Sequence, residues 1–490
     1  MKLNFKTIMN IMKKNYLKLM AYLFAAIVCV GFVSCGDDDD DDSAGGTETP
    51  EKPVEPTEDN AMSSADQKEY LEQVALEFMD QMPASDFRDI ADLAMFVEEN
   101  YGKDYDWDNV EDWVEDAFDA AREALGTKTT DKKSETYGSY TYKYNYIYTN
   151  YKALLLASNF TGHFTARNGR WVYSDADDLQ FIFTDKRGQQ CVLKLETSGN
   201  VKKVHVLNDD HRTDSEYSSS GNTYTYNKYY DRTQYTIGVP EQIDVTLTQG
   251  GSQVVKTTVK IDLSSITSEE FDISKNSLTV SAVVELNNGY KFNVSKVVYT
   301  ANTSVSVAFT MTKNGTALLT MDVSGNVKDV PSVNVSEFSS KNFDTDDYDF
   351  DKINGKNCQV KLDILGKVQI KGSLADVRKY LDYLDAAKDN RTSESTFKSY
   401  INQANSLADI NLFYDGKNVK QAAIRLESFA EENWNGRTYW EAEPIIYFYD
   451  GSTYSTLEAF FNEKEFKTVI ESFKDLANKY ADLVDERIDW

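Results

Sequence analysis

Apolar residues recur with helical spacing in three segments between residues 63 and 126. In the first segment, Val74 and Phe78 lie on one side, behind serines that can cap a helix N-terminus. The second segment stops at Gly102 and the third at Gly126, and glycine is a common stop signal just past a helix C-terminus. The pattern therefore predicts three amphipathic helices.

From residue 137 onward the apolar positions alternate, as they do in half-buried strands. The clearest hairpins have Gly-Gly or Asn-Gly at the turn, where tight turns require a positive φ. Their sequences are DVTLTQGGSQVVKTTVKIDL, SAVVELNNGYKFNVSKVVYT and SVAFTMTKNGTALLTMDVSG. Strands of about ten residues joined in this way predict an antiparallel meander with one dry face and one wet face.

After an acidic stretch, helical spacing returns near 373–390 and 394–409, and a last amphipathic helix is predicted near 464–484. Strands in the middle and helices at both ends predict an α+β fold, in which the helices pack on one face of a large antiparallel hairpin sheet. We divide the body into a three-helix segment 63–126, an antiparallel β region 127–340 and an α+β C-terminal region 341–490.

An apolar run of about fifteen residues near the start follows three lysines, which describes a secretory signal peptide. The run is shorter than the roughly 20 residues of a membrane-spanning helix. Met12 gives this signal a more typical length than Met1 does. Residues 1–34 are predicted to be the signal peptide, and Cys35 the first residue of the mature chain.

The sequence Phe32-Val33-Ser34-Cys35 resembles a bacterial lipobox, whose cysteine thiol receives a diacylglyceryl group. Six acidic residues follow Gly36, namely Asp37, Asp38, Asp39, Asp40, Asp41 and Asp42. This arrangement resembles the export signal of surface lipoproteins of the Bacteroidetes, and the resemblance covers about the first 45 residues. It implies a lipid anchor on Cys35, an outer-membrane location and exposure on the cell surface. Two or more acyl chains give a stable anchor.

Residues 35–62 are acidic and proline-containing and hold few bulky apolar side chains, so they are predicted to form a disordered tether. Removal of residues 1–34 takes away five lysines and no acids, which changes the net charge from −28 to −33. Such a charge disfavours nucleic acid, whose phosphates need Lys and Arg. The predicted partners are the membrane, through the lipid, and a glycan or another surface protein.

Two acidic stretches resemble calcium loops. Ligand positions of an EF-hand are matched by Asp104, Asp106, Asp108, Asp112 and Glu115. Asn109 replaces the required glycine, and helical spacing runs through the same stretch, so acids that favour a helix N-terminus are the preferred interpretation. A looser spacing is present at Asp347, Asp349 and Asp351. We predict no cofactor, with calcium as the alternative.

Other chemical signatures are scarce. The three histidines show no metal-ligand spacing, and the chain has neither a phosphate-binding loop nor a nucleophile elbow. Cys191 and Cys358 both lie in alternating segments, which favours two buried thiols over the disulfide that secretion would permit. The sequence leaves open whether the protein is an enzyme and does not favour that function.

The stretch SYTYKYNYIYTNY, residues 139–151, has a tyrosine at every second position. The members are Tyr140, Tyr142, Tyr144, Tyr146 and Tyr148, which share one face of a strand. A second tyrosine-rich stretch, 224–235, is expected to pair beside it and give cross-strand aromatic contacts. Because Lys143 and the threonines of the opposite face are more polar, the sequence favours rings that point inward. The alternative is an exposed platform for sugar rings.

Together these features predict a lipid-anchored surface protein that acts as a binding or structural module. Three alternatives remain open. The first is a glycan-binding protein that uses the tyrosine face, and the second is a secreted hydrolase with two carboxylates in a cleft. The third is a lipid carrier with an apolar cavity between a curved sheet and its helices.

Overall fold

A computed structural model describes residues 61–102, 105–123, 127–155, 160–218, 223–334, 352–432, 437–450, 455–456, 460 and 466–483. The signal segment, Cys35, the six aspartates and nearly all of the tether lie outside the described residues, as do Asp104, Asp347, Asp349 and Asp351. The predictions made for those residues therefore stay predictions.

The helices of the described chain are α1 Ser64–Asp80, α2 Arg88–Tyr101, α3 Asp108–Glu123, α4 Val377–Asp389, α5 Glu394–Leu407 and α6 Lys467–Asp482. A 3₁₀ turn, Ala84–Phe87, leads into α2. The Ser63 hydroxyl accepts the N–H of Asp66 at 3.1 Å and caps α1. All six predicted helices are confirmed. In the described part of the chain, none of them is both long and apolar enough to cross a bilayer.

The strands of the described residues are β1 Thr127–Tyr137, β2 Tyr140–Leu155, β3 Gly162–Arg167, β4 Arg170–Ser174, β5 Leu179–Thr184, β6 Gln190–Ser218, β7 Thr223–Gln249, β8 Ser252–Asp262, β9 Leu278–Leu286, β10 Tyr290–Thr300, β11 Ser304–Lys313, β12 Thr316–Lys328, β13 Asn354–Ile364, β14 Val368–Asp376, β15 Ala408–Tyr414, β16 Ala422–Glu432, β17 Thr438–Phe448 and β18 Ser455–Thr456.

From β6 to β18 each strand pairs antiparallel with the next, so the predicted meander is confirmed. Two pairings differ from it, because β2 runs parallel to β7 and β3 runs parallel to β5. The sheet is continuous between β12 and β13, on either side of residue 340. The division of the chain into regions remains a prediction.

One face of the meander carries rows of apolar side chains that lie in register across the strands. One row is Phe292, Met311, Leu319, Ile364, Val368 and Tyr414. The first helix, the 3₁₀ turn and α6 cover this row with Phe78, Met82, Phe87 and Leu476. Burial of a side chain of this size stabilises the fold by about 1.5–3 kcal/mol. Helix α5 packs Phe397 and Ile401 on Leu426 of the same face.

A second aromatic core joins α2 and α3 to the short strands β3–β5. Leu93 and Val110 of the helices are buried with Phe164, Trp171 and Phe181 of the strands. The first two helices thus serve different parts of the sheet, since α1 covers the meander and α2 covers the strands that precede it.

The tether joins the body at the turn between β15 and β16. The Met62 N–H donates to Gln421 Oε1 at 2.7 Å, and the Ser64 N–H donates to Asp450 Oδ2 at 2.7 Å. Gln67 is fully buried, and its amide donates to the carbonyls of Met62 and Gln421, both at 3.0 Å. The beginning of the described chain is therefore fixed to strands from the far C-terminal part.

Cys191 and Cys358 are both free thiols, and burial raises the pKa of each. Cys191 is fully buried, as predicted. Cys358 is only half-buried, and the prediction of burial is wrong for it. It lies where β13 passes close to Gly325, whose lack of a side chain leaves room for the sulfur.

Strand β7 has 27 residues and extends far beyond its neighbour β8, which pairs only with residues 242–249. Its free end instead pairs with β2 on one side and with β6 on the other. We call the four-stranded layer formed by residues 127–150, 207–218 and 223–234 the tyrosine ribbon. At about 3.3 Å per residue, it extends roughly 40 Å.

Candidate functional site

The tyrosine ribbon consists of two hairpins that lie side by side. The β1–β2 hairpin turns at Gly138, which adopts a φ of 59°, a conformation that glycine reaches without strain. At the same end, the Tyr224 N–H donates to the Ser139 carbonyl at 2.8 Å and ties the second hairpin to the first. Because the tips of both hairpins lie at one end, their inner strands, β2 and β7, are parallel.

The parallel register places two tyrosine rows beside each other. Tyr140 pairs with Tyr224, Tyr142 with Tyr226 and Tyr146 with Tyr230. The centroids of these ring pairs are 5.4, 5.2 and 4.9 Å apart, and their planes are within 16° of parallel. Rings with this geometry overlap face to face with an offset. The predicted contact between the two tyrosine-rich stretches is confirmed.

Two lysines place their ammonium groups over rings of the same rows. Lys228 stands opposite Tyr144 in the register, and its ammonium lies 5.5 Å from the ring centroid of Tyr142 and 5.6 Å from that of Tyr144. From the outer strand β1, Lys133 places its ammonium 5.7 Å from the ring centroid of Tyr146. Each contact of this kind is worth about 0.5–1 kcal/mol at an exposed site.

At the tip, Tyr137 approaches Tyr142 edge to face with centroids 6.2 Å apart. Its hydroxyl donates to Glu135 Oε2 at 3.2 Å, and this hydrogen bond to a carboxylate raises the pKa of the phenol. Through Tyr137, strand β1 therefore joins β2 and β7 in the aromatic contacts.

The rings do not point into a core. Tyr140 and Tyr148 are 43% and 42% exposed, and Tyr142, Tyr144 and Tyr146 are half-buried against neighbouring rings and lysines. Among the described residues, none of these tyrosines belongs to a hydrophobic cluster. The expectation that the rings point into a core is therefore wrong, although the three middle rings are half-buried, as is common for one face of a strand.

The stacking decides what the face can bind. A sugar ring stacks on the open face of an aromatic ring, and here ring faces are occupied by other rings and by lysine ammoniums. Tyrosine is favoured at protein interfaces because it supplies a large amphipathic area with little rotational freedom to lose. Rings already fixed by stacking reduce that loss further. The geometry therefore suits a broad macromolecular contact better than a single sugar platform.

Of the acidic candidates in the EF-hand stretch, the four that the structure describes do not form a calcium loop. Asp106 pairs with the backbone of Gly169 and Trp171, and its carboxylate accepts the N–H of Asp108 at 3.0 Å. From Asp108 onward the chain is helix α3, and Asp112 and Glu115 lie within it. In the described residues, no group of three or more His, Cys, Asp or Glu side chains is arranged to hold a metal ion.

One charged cluster was not visible in the sequence. His163 Nε2 lies 2.7 Å from Asp178 Oδ1, and Asp178 also accepts from Gln180 at 2.9 Å and pairs with Lys194 at 3.2 Å. These hydrogen bonds, from Gln180 first and then His163, hold the pKa of Asp178 well below its ordinary value. The partners come from three strands, with His163 in β3, Gln180 in β5 and Lys194 in β6, so no local spacing in the sequence predicts the cluster. The Ser174 hydroxyl donates to the backbone carbonyl of His163 at 3.4 Å and not to its ring.

The space between the meander and its N-terminal helices is filled. Phe78, Met82 and Phe87 meet Tyr290 and Met311 there, and all five are at least 95% buried. This arrangement gives no support to an acyl-chain cavity in that place. Comparisons with protein-family models, with curated proteins and with solved structures found no match to this chain.

Proposed function

We propose that the protein is a lipid-anchored lipoprotein of the cell surface and acts as a binding module, with the tyrosine face of the ribbon as its contact surface. The observation that carries the proposal is the double row of stacked tyrosines, whose rings lie outside the hydrophobic clusters of the described chain and are exposed at Tyr140, Tyr148 and Tyr224. The anchor part of the proposal rests on Cys35 and on Asp37–Asp42, which resemble a lipobox and an acidic export signal.

The positions of the tether and the ribbon support this function. The tether joins beside β15, and the ribbon begins at β7, eight strands away in the meander. Neighbouring strands are about 4.8 Å apart, so the separation along the sheet is roughly 38 Å. A molecule anchored at one end presents the tyrosines at the other.

The anchor is tested by Cys35→Ala in whole cells. We expect the variant to leave the membrane fraction, because it lacks the acyl chains that hold a soluble body there. Deletion of Asp37–Asp42 should move the protein from the outer surface to the inner leaflet, measured by protease shaving of intact cells. Shaving that is equal before and after the deletion would contradict the export role.

The contact surface is tested with Tyr148→Glu, which places a charge in the tyrosine face, and with Thr149→Glu, which places it on the opposite face of the same strand. Binding of the protein to intact cells and to a glycan array is measured for both variants. We expect Tyr148→Glu alone to lose binding. Loss in both variants, or in neither, would refute the assignment of this face.

A further inference from the structure

We propose that the tyrosine face binds a second copy of the same ribbon, so that two molecules associate face to face about a two-fold axis. This inference rests on the proposed function, since it names the partner of the same surface. A single-layer sheet with an aromatic face is one half of a sheet-on-sheet packing, and two such layers pack about 10 Å apart.

Charge is the first argument for a second copy. Residues 127–150 and 207–234 contain seven Lys or Arg and seven Asp or Glu, whereas the whole chain carries −28. The ribbon is therefore a formally neutral part of a strongly acidic molecule. A neutral surface does not favour a polyanionic glycan, and it allows two like-charged molecules to meet where their repulsion is weakest.

The distribution of charge within the face is the second argument. The tyrosine face carries two positive residues, Lys133 and Arg232, and two negative residues, Asp131 and Glu135. Each of the four pairs in register with a tyrosine of β2 and therefore lies on the same face. A surface that carries both signs can be complementary to itself, because a two-fold axis places each residue of one copy against a different residue of the other.

Size and shape are the third argument. Four strands of about eleven residues give a face of roughly 19 by 36 Å, or about 700 Å² per copy. Standard interfaces bury about 600–1,000 Å² on each partner, so the area falls within that range. The ribbon also projects roughly 40 Å from the acidic body. If the two ribbons run in opposite directions, the bodies lie several Debye lengths of about 8 Å apart.

The test uses the full chain carrying Cys35→Ala in sedimentation-velocity centrifugation across a concentration series. We expect a monomer–dimer equilibrium. Tyr148→Glu should weaken the dimer at least tenfold, because two glutamates are introduced at one interface. Thr149→Glu, on the opposite face, should leave the dissociation constant within twofold of the parent.

A second pair of variants controls for the case in which the first pair misfolds. Thr129 lies on the tyrosine face of the exposed strand β1, and Thr130 lies on the other face. Thr129→Glu should weaken the dimer and Thr130→Glu should not. The face-to-face contact would be overturned if both members of each pair weakened the dimer equally. It would also be overturned if the parent chain were monomeric at roughly 0.1 mM. If such a monomer still bound cells or glycans in a Tyr148-dependent way, the second copy would be refuted and the proposed function would stand.

Discussion

The meander and the tyrosine ribbon are built from the same alternating strands but are stabilised differently. In the meander, Met311 and its neighbours lie under helices, and one face of the sheet is dry. In the ribbon, Tyr146 and Tyr230 stack on each other at a surface that is open to water. The difference shows that, among the described residues, ring stacking within one layer contributes to the ribbon where burial under helices contributes to the meander.

The consequence for energetics is direct. A meander side chain gains from removal of its whole surface from water, whereas a ribbon ring gains mainly from contact with one or two neighbouring side chains. We therefore expect the two regions to respond to equivalent substitutions by different amounts.

The largest difference is expected for loss of a core side chain. Met311→Ala removes a side chain that is 1% exposed, and it should lower the free energy of unfolding by about 2–5 kcal/mol. Thr310→Ala, on the wet face of the same strand, is the matched control and should change it by less than about 1 kcal/mol. Urea unfolding measures both, and equal losses would mean that the dry face does not dominate stability.

The second prediction concerns a buried tyrosine of the meander and the dependence of stability on pH. Burial first, and then the hydrogen bond to Asp86, raise the pKa of Tyr290 to about 12 from 10, although Lys313 acts in the opposite sense. A raised pKa stabilises the folded chain fully below pH 10, and the contribution is lost as the pH rises through 12.

Tyr290→Phe removes this titration. Between about pH 10 and pH 12, the parent should lose about 2 kcal/mol more of its free energy of unfolding than the variant does. Urea unfolding at a series of pH values checks it. Parallel pH profiles would show that the phenol of Tyr290 does not titrate differently in the folded chain.

Within the ribbon, the coupling of one stacked pair can be isolated. Tyr146→Ala, Tyr230→Ala and the double variant form a cycle whose interaction energy should be about 0.5–1.5 kcal/mol. Hydrogen exchange of amides in 140–149 reports local opening, which global unfolding would miss. A coupling energy near zero would show that the rings are adjacent without holding the layer together.

The smallest effect is expected from the lysine between the rings. Lys228→Gln should ease local opening of the ribbon by about 0.5–1 kcal/mol, because its ammonium lies over two rings. Lys143→Gln, on the opposite face of β2, serves as the control. An equal response of the two variants in hydrogen exchange would attribute the effect to charge alone.

The sequence predicted most elements of the fold, because the signals for helices and tight hairpins are local. Val74 and Phe78 mark the buried side of α1, and Asn-Gly and Gly-Gly mark turns of the meander. The parallel pairing of β2 with β7 was not predictable in the same way, since it depends on how two separate hairpins dock.

The candidate site was found in part. Alternation placed Tyr140–Tyr148 on one face, and the pairing with the second tyrosine stretch followed from its composition. Whether that face is covered depends on helices that lie elsewhere, and alternation carries no information about them. The contact between His163 and Asp178 likewise joins residues whose spacing in the chain has no known signature.

The number of strands in the meander also sets a distance within the molecule. Its hairpins lie side by side between Gln421, where the tether is held, and β7, where the ribbon begins. Each extra hairpin inserted between them would increase the distance from Gln421 to the ribbon by about 10 Å and leave both ends unchanged. The separation between the start of the described chain and the tyrosine face is therefore set by the number of strands between them, and it can be altered without any change to either end.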